Sequence, residues 1–357
     1  MHETRSSDAA LLRLTALAHG GGCGCKIAPG VLSELLRGVP ALPVPPELLV
    51  GREASDDAAV YQLNDHQAVV ATTDFFMPVV DDPFDFGRIA ATNALSDLYA
   101  MGATPLFALA IVGMPIDTLP RESIRGILRG GEQACADAGI VVAGGHSIDS
   151  VEPIYGLAAI GVVDPARLAR NGGARAGDVL VLGKALGVGV YASAYKKGLL
   201  DAAGYAELIA TTTRANRAGI ALAALDGVHA MTDVTGFGLL GHALEMARAS
   251  SAIAELESDA VPLLAQADAL RERGCVTGAS ARNWASYGHE VQMDPALDAR
   301  WQALLTDPQT SGGLLVACAP DCVGAVLAAF HADGHADAAV VGRIAAGTAG
   351  VRVAGGR

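Results

Sequence analysis

Apolar and polar residues alternate over 58–63 and 68–73, as in strands with one face covered, and 106–112 is an uninterrupted apolar run that suits a buried strand. Further strands are expected at 140–143 and 154–163. Helical spacing of apolar positions covers 86–101, closed by Gly102, and 120–138, and a short helix fits 31–37 before the prolines at 40, 43, 45 and 46. After a stretch rich in Arg, Gly, Ala and Asn at 164–178, the mixed pattern resumes with strands at 179–182, 252–256, 314–318 and 338–341. Helices are expected there at 189–199, 206–225, 239–249, 263–273 and 321–333. This order predicts a mixed α/β (α+β) protein in three parts: a flexible glycine-rich arm at 1–30, one domain at 31–165 and another at 166–357.

Two stretches imitate membrane or export signals. The run 98–116 carries no charge and is 19 residues long, yet Gly102, Pro105, Gly113 and Pro115 divide it into a helix end, a strand and a turn. Ala16-Leu17-Ala18 resembles a signal-peptidase site, but the apolar run before it is short and broken by Arg13. No membrane span and no signal peptide are expected. The 357 residues are 51% hydrophobic and 18% charged, which excludes general disorder. The net charge of −13 argues against a surface for nucleic-acid backbones, although metal ions or a local cluster of cations would still hold an anionic substrate. Six cysteines in a chain of this length do not make a disulfide framework and suit a reducing, cytoplasmic compartment.

The chemistry-bearing residues are mostly aspartates near strand ends and helix starts: Asp56 and Asp57, Asp74, Asp97 and Asp233. Carboxylates so placed can converge on Mg²⁺, a hard ion that bridges nucleotide phosphates, or can serve as caps and turn formers. Asp97 stands apart, because its segment is apolar beyond the first turn and Asn93 lies one turn away on the same face. Gly20-Gly21-Gly22-Cys23-Gly24-Cys25-Lys26 is a segment whose backbone can approach an anion. A cation beside Cys23 or Cys25 is expected to lower its pKa. The Cys-x-Cys spacing does not support structural zinc. No Walker A sequence occurs. Gly236-Phe237-Gly238-Leu239-Leu240-Gly241 formally matches a dinucleotide fingerprint, but its flanks form no clean βαβ unit and it reads as a helix entry. The loops expected at 144–147 and 307–313 suit either phosphate contact or ordinary turns.

Taken together the segments resemble the selenophosphate synthetase, or selenide, water dikinase, family. The resemblance rests on GGCGCKIAP at 21–29, DDAAVY at 56–61, the segment 72–102, AGGHSID at 143–149, MTDVTGFGLLGH at 231–242, RNWASYGH at 282–289 and DPQTSGGLL at 307–315. It implies the two-domain fold of aminoimidazole ribonucleotide synthetase, and a homodimer paired through the N-terminal domains. The implied reaction turns ATP, selenide and water into selenophosphate, AMP and phosphate, with Mg²⁺ required: the γ-phosphoryl group passes to selenium and ADP is then hydrolysed. The selenium donor is selenide or a protein-bound selenium. Carried over by motif, Cys23 and Lys26 are the catalytic pair, Asp57, Asp97 and Asp233 the metal ligands, and Lys26, Ala54, Ser55, Asp56, Asp74, Asp97, Gly145, His146 and Ser147 the nucleotide contacts. Cysteine at 23 means that no selenocysteine is needed to make this chain.

Sister activities of the same fold compete with this reading. They are amidine formation in purine synthesis, thiamine-phosphate phosphorylation and a dehydration step of hydrogenase maturation. The last uses a C-terminal cysteine, whereas this chain ends in Arg357, and the Gly-Cys-Gly-Cys-Lys arm argues against the other two. A non-catalytic ATP- or metal-binding protein would need the aspartates and glycine loops but no arm.

Overall fold

The computed structural model describes residues 13–27, 29–37, 39, 43–51 and 56–355. The first half holds β1 (Leu48–Val50), β2 (Ala59–Asn64), β3 (Gln67–Phe76), β4 (Thr104–Met114), β5 (Val142–Asp149) and β6 (Ile154–Val163). Its helices are α1 (Pro29–Leu36), α2 (Pro83–Ala100) and α3 (Arg121–Asp137). These strands make one sheet in the order β1-β2-β3-β6-β4-β5, antiparallel except for the parallel β4/β5 pair. Along β3 the expected alternation is real: Ala68, Val70, Asp74 and Phe76 are buried, whereas Ala71, Thr73 and Phe75 are exposed. The buried face is covered by α2, whose N-terminus is set by Pro83 and by Asp82, which accepts from the Asp85 N–H at 2.8 Å. Gly102, at φ +71°, turns the chain out of α2 into β4.

The second half holds β7 (Val179–Leu182), β8 (Val228–Asp233), β9 (Ile253–Glu257), β10 (Val291–Met293), β11 (Leu314–Cys318), β12 (Ala339–Ala345) and β13 (Gly350–Ala354). Its helices are α4 (Val188–Lys196), α5 (Ala202–Thr212), α6 (Ala218–Leu222), α7 (Gly238–Ser250), α8 (Ala267–Glu272), α9 (Gly278–Tyr287), α10 (Arg300–Leu305) and α11 (Val323–Ala332). The strands form a second sheet, β10-β13-β9-β12-β7-β11-β8. Every residue of β11 is buried, and its neighbours alternate between two apolar layers. Leu315 and Ala317 join the larger core, while Leu314, Val316 and Cys318 pack with Val326 and Phe330 of α11. No described helix is long and apolar enough to cross a membrane.

Several expectations are corrected. Residues 144–147 are not a loop but part of β5, an edge strand exposed over most of its length. Pro105 and Gly113 lie inside β4 instead of bounding it. The helix expected at 206–225 is two helices, α5 and α6, parted around Asn216. Strands β1, β10 and β13 and helices α9 and α10 were not expected; all but α9 are six residues or shorter, too short to show a period. The helix after the glycine fingerprint is α7, but among the described strands β8 pairs with β11 alone and antiparallel, so β8 and α7 belong to no βαβ unit and the dinucleotide fingerprint is a helix entry. The part of the arm at 13–27, expected to be mobile, is packed on the body, with Leu14 and Cys23 buried.

Candidate active site

Aspartates from four segments come within electrostatic reach of one another at the seam between the halves. Asp74 sits on the covered face of β3, Asp97 lies one turn beyond Asn93 on α2, Asp233 closes β8, and Asp57 precedes β2. Each of the three expected metal ligands takes a hydroxyl from a different element. Thr72 Oγ1 donates to Asp97 at 2.5 Å, Ser96 Oγ to Asp233 at 2.5 Å, and Thr232 Oγ1 to Asp57 at 3.0 Å. Asn216, between α5 and α6, supports the set by donating to Ser96 Oγ and to the Gly312 carbonyl, both at 2.8 Å.

The arm closes over this centre. Gly22–Cys25 is one turn of 3₁₀-helix, and Gly22 has φ +54° with Thr310 Oγ1 only 2.2 Å from where a Cβ would stand. Thr310 Oγ1 accepts the Cys23 N–H at 3.0 Å, and the Cys23 thiol donates to Asn93 Oδ1 at 3.2 Å. The same Asn93 oxygen accepts the Ser311 N–H at 2.7 Å, while Asn93 Nδ2 donates to Asp74 at 2.7 Å. Lys26 Nζ donates to Asp74 at 3.0 Å. A single amide thus ties the arm cysteine, the loop at 307–313 and the lysine's carboxylate partner together. Beneath the loop, Lys184 donates to the carbonyls of Ser311 and Arg214, both at 2.7 Å, and burial lowers its pKa to about 7.

Burial and crowding set the electrostatics. Burial raises the pKa values of Asp57, Asp97 and Asp233, and for the first two the negative charge of Asp233 adds to the rise. For Lys26 burial works downward, but Asp74, with Cys23, Asp97 and Asp233, outweighs it and keeps the ammonium firmly charged. The expected activation of Cys23 is reversed in this closed arrangement. Burial pushes its thiol well up and Lys26 opposes this only in part, so Cys23 is a protonated hydrogen-bond donor here. Burial raises Cys25 as well.

The donor set fits a hard divalent cation: all-oxygen carboxylates, crowded, with Asp57 Oδ2 buried and without a partner. Among the described residues no three His, Cys, Asp or Glu side chains enclose a metal by themselves.

The remaining expected residues are dispersed. Asp56 accepts the Asn171 N–H at 3.0 Å and so anchors the connection between the halves. Ala54 and Ser55 lie outside the described residues. Gly145, His146 and Ser147 are not brought to the carboxylates within one chain. Gly145 is in register with Ala110, Leu157 and Asp74 in turn, three strand spacings or roughly 14 Å from Asp74. Sequence reasoning missed Thr72, Ser96, Thr232 and Asn216, and it flagged the loop at 307–313 without foreseeing that Thr310 and Ser311 engage Cys23 and Asn93. Ser96 and Thr232 each precede an aspartate but serve the carboxylate of another segment, so adjacency alone would have mispaired them.

The AIR synthase related protein N-terminal domain matches residues 55–163, and the corresponding C-terminal domain matches 175–354. A selenide, water dikinase from Burkholderia pseudomallei (strain K96243) is 68% identical over 353 residues, covering 99% of this chain and 100% of its own length. The chain belongs to the selenide, water dikinase family. Its likeness extends to the selenide, water dikinase of Rhizobium meliloti (strain 1021), 59% identical over 341 residues with 96% and 98% covered. Among solved structures, the thiamine-monophosphate kinase of Stenotrophomonas maltophilia K279a superposes with TM-score 0.62 at 24% identity over 86% of this chain and 91% of that one. The hydrogenase maturation protein HypE does so with TM-score 0.61 at 18% identity, covering 87% and 91%. These two establish a shared fold, the two-domain aminoimidazole ribonucleotide synthetase-like one; the relatives at high identity select the selenide branch within it.

Proposed function

We propose that this chain makes selenophosphate from ATP, selenide and water, releasing AMP and phosphate, at the seam where Cys23 and Lys26 meet Asp57, Asp74, Asp97 and Asp233. The observation that carries the site assignment is Lys26, a permanently charged ammonium anchored on Asp74 within reach of Asp97, Asp233 and Cys23. Phosphoryl transfer demands charge neutralisation and in-line positioning more than covalent help. Asp57, Asp97 and Asp233 would hold Mg²⁺, which when bound neutralises charge on the phosphates. Lys26 holds the γ-phosphoryl oxygens, and Asp74 with Asn93 fixes where Lys26 points. Selenium forms the new bond to the γ-phosphorus as the bond to the bridging oxygen breaks and its electrons leave with ADP. Water then attacks the β-phosphorus of ADP and AMP departs. Cys23 receives or positions the selenium, a role that requires the arm to move, since in the closed form its thiol is protonated and turned to Asn93.

Asp56, Asp74, Asp97 and Lys26 are proposed as nucleotide contacts from within the chain. Gly145, His146 and Ser147 are proposed to act in a homodimer. The face of the first sheet away from α2 exposes Tyr61, Leu63, Phe75, Leu109 and Ile148, and by register His146 shares that face. An apolar surface of this kind supports pairing with a second copy. Six free cysteines support a reducing compartment, the cytoplasm. Anaerobic ³¹P NMR with Mg-ATP, with and without selenide, tests the reading. A selenophosphate resonance with matching AMP and phosphate is expected, and product stopping at ADP, or no turnover beside an active control, would overturn it.

A further inference from the structure

Behind the arm lies a second cavity of about 390 Å³, which none of the clustered aspartates lines. Gly20, Gly21 and Gly24 form one wall, and Lys196 at the end of α4, Lys197 and Arg282 of α9 stand around it. The arm backbone is therefore the partition: Cys23 turns its thiol inward to Asn93, and the glycines on either side of it face the cations.

Among the described residues no carboxylate lines this cavity, an exception in a chain of net charge −13. Lys196 donates to the Gly20 carbonyl at 2.7 Å, Arg282 to the Gly24 carbonyl at 3.0 Å, and Lys197 to the Gly274 carbonyl at 2.6 Å. Each spends one donor on backbone, of the three a lysine and the five an arginine possess. The carboxylates that act on Lys196 from nearby, Asp81 and Glu152, are already engaged by Arg13 and His19. A larger groove of about 830 Å³ at the edge of the second sheet differs in this respect, because its Arg343 and Arg352 both pair with Glu255.

We propose that the cavity behind the arm is an anion-binding vestibule that collects hydrogenselenide, a soft monoanion at neutral pH, and presents it to the arm from the side opposite the carboxylates. The inference rests on the selenide, water dikinase reading. A route through the carboxylate centre would repel such an anion, whereas a cationic vestibule raises its local concentration. The glycines of the partition supply the freedom to carry Cys23 from one side to the other.

Two experiments test this. Crystals of the full chain soaked in bromide, a monovalent probe that needs no turnover, are expected to show anomalous scattering in the cavity within hydrogen-bond distance of at least two of Lys196, Lys197 and Arg282. Bromide found only elsewhere overturns the proposal. In steady-state kinetics, Lys196→Gln, Lys197→Gln and Arg282→Gln are each expected to raise the KM for selenide roughly tenfold and to flatten its dependence on salt, with the KM for ATP unchanged. Lys196→Arg and Arg282→Lys are expected to restore a low KM. Lys197 hydrogen-bonds Gly274 and not an arm carbonyl, so its variant separates charge from arm docking. A fall in kcat with the KM for selenide unaltered would mean that the cations only hold the arm, and the proposal fails. Absence of selenide-dependent AMP release by the unaltered protein would instead defeat the family reading, while the bromide result would still decide the cavity.

Discussion

The two sheets differ in how they are covered. Strand β11 of the second sheet is buried on both faces, and its sequence, Leu314-Leu315-Val316-Ala317-Cys318, is accordingly apolar throughout. The first sheet is covered by α2 on one face only, and its strands alternate. Yet several of its open positions, Tyr61, Leu63 and Phe75 among them, are large and apolar where water would favour polar residues. The doubly covered strand spends its apolar side chains on the core, whereas the open face of the first sheet leaves large apolar side chains in water and is the face proposed above for a second copy. The carboxylate centre lies at the seam of the two and belongs to neither core.

That contrast separates function from stability most sharply at the seam. Asp97→Asn is expected to reduce AMP formation by about 100-fold or more at limiting Mg²⁺. Thermal unfolding should be unchanged or raised, because a carboxylate crowded by Asp233 and Asp74 loses its charge. Full activity under those conditions would remove Asp97 from the metal site. In the doubly covered sheet, Leu315→Ala should cost about 2–5 kcal/mol in denaturant unfolding, since Leu315 is fully buried. A loss near zero would break the contrast.

Asp307 gives the second half a pH signature. Its carboxylate accepts from the Gly189 and Val190 N–H groups at the start of α4 and from Gln309 Nε2, and burial raises its pKa to about 7. The folded pKa exceeds the unfolded one, so the stabilisation from this group is fully present below the unfolded pKa and is lost as pH rises through about 7. Between pH 5 and 8 the unaltered protein should lose of order 2 kcal/mol relative to Asp307→Asn, measured by denaturant unfolding at each pH. Parallel pH profiles would refute the assignment.

On the open sheet the effects fall on association. Phe75→Ala should weaken dimerisation by about 1–2 kcal/mol, roughly tenfold in Kd by sedimentation, and an unchanged Kd would argue that this face is not the interface. The smallest effect is expected for Leu63→Ala, under about 0.5 kcal/mol in unfolding of the isolated chain, because its side chain is largely exposed.

Much of this was legible in the order of residues. The alternation over 58–63 and 68–73, the apolar stretch that became α2 and the unbroken run of β11 reflect local periods that a chain carries whatever its partners. The arm motif and the four aspartates were equally visible, because catalytic groups must be of the right chemical type before they can be well placed. What the tertiary structure decided was pairing. Cys23 finds Thr310 across 287 positions, Ser96 finds Asp233 across 137, and Thr232 finds Asp57 across 175. No local signal encodes such meetings; they follow from the strand order that sets β8 beside β11 and α2 beneath β3. The same holds for the protonation of Cys23. Lys26, three residues away, argues for a thiolate, but the thiol's energy depends on the water that the closed arm excludes, and burial prevails.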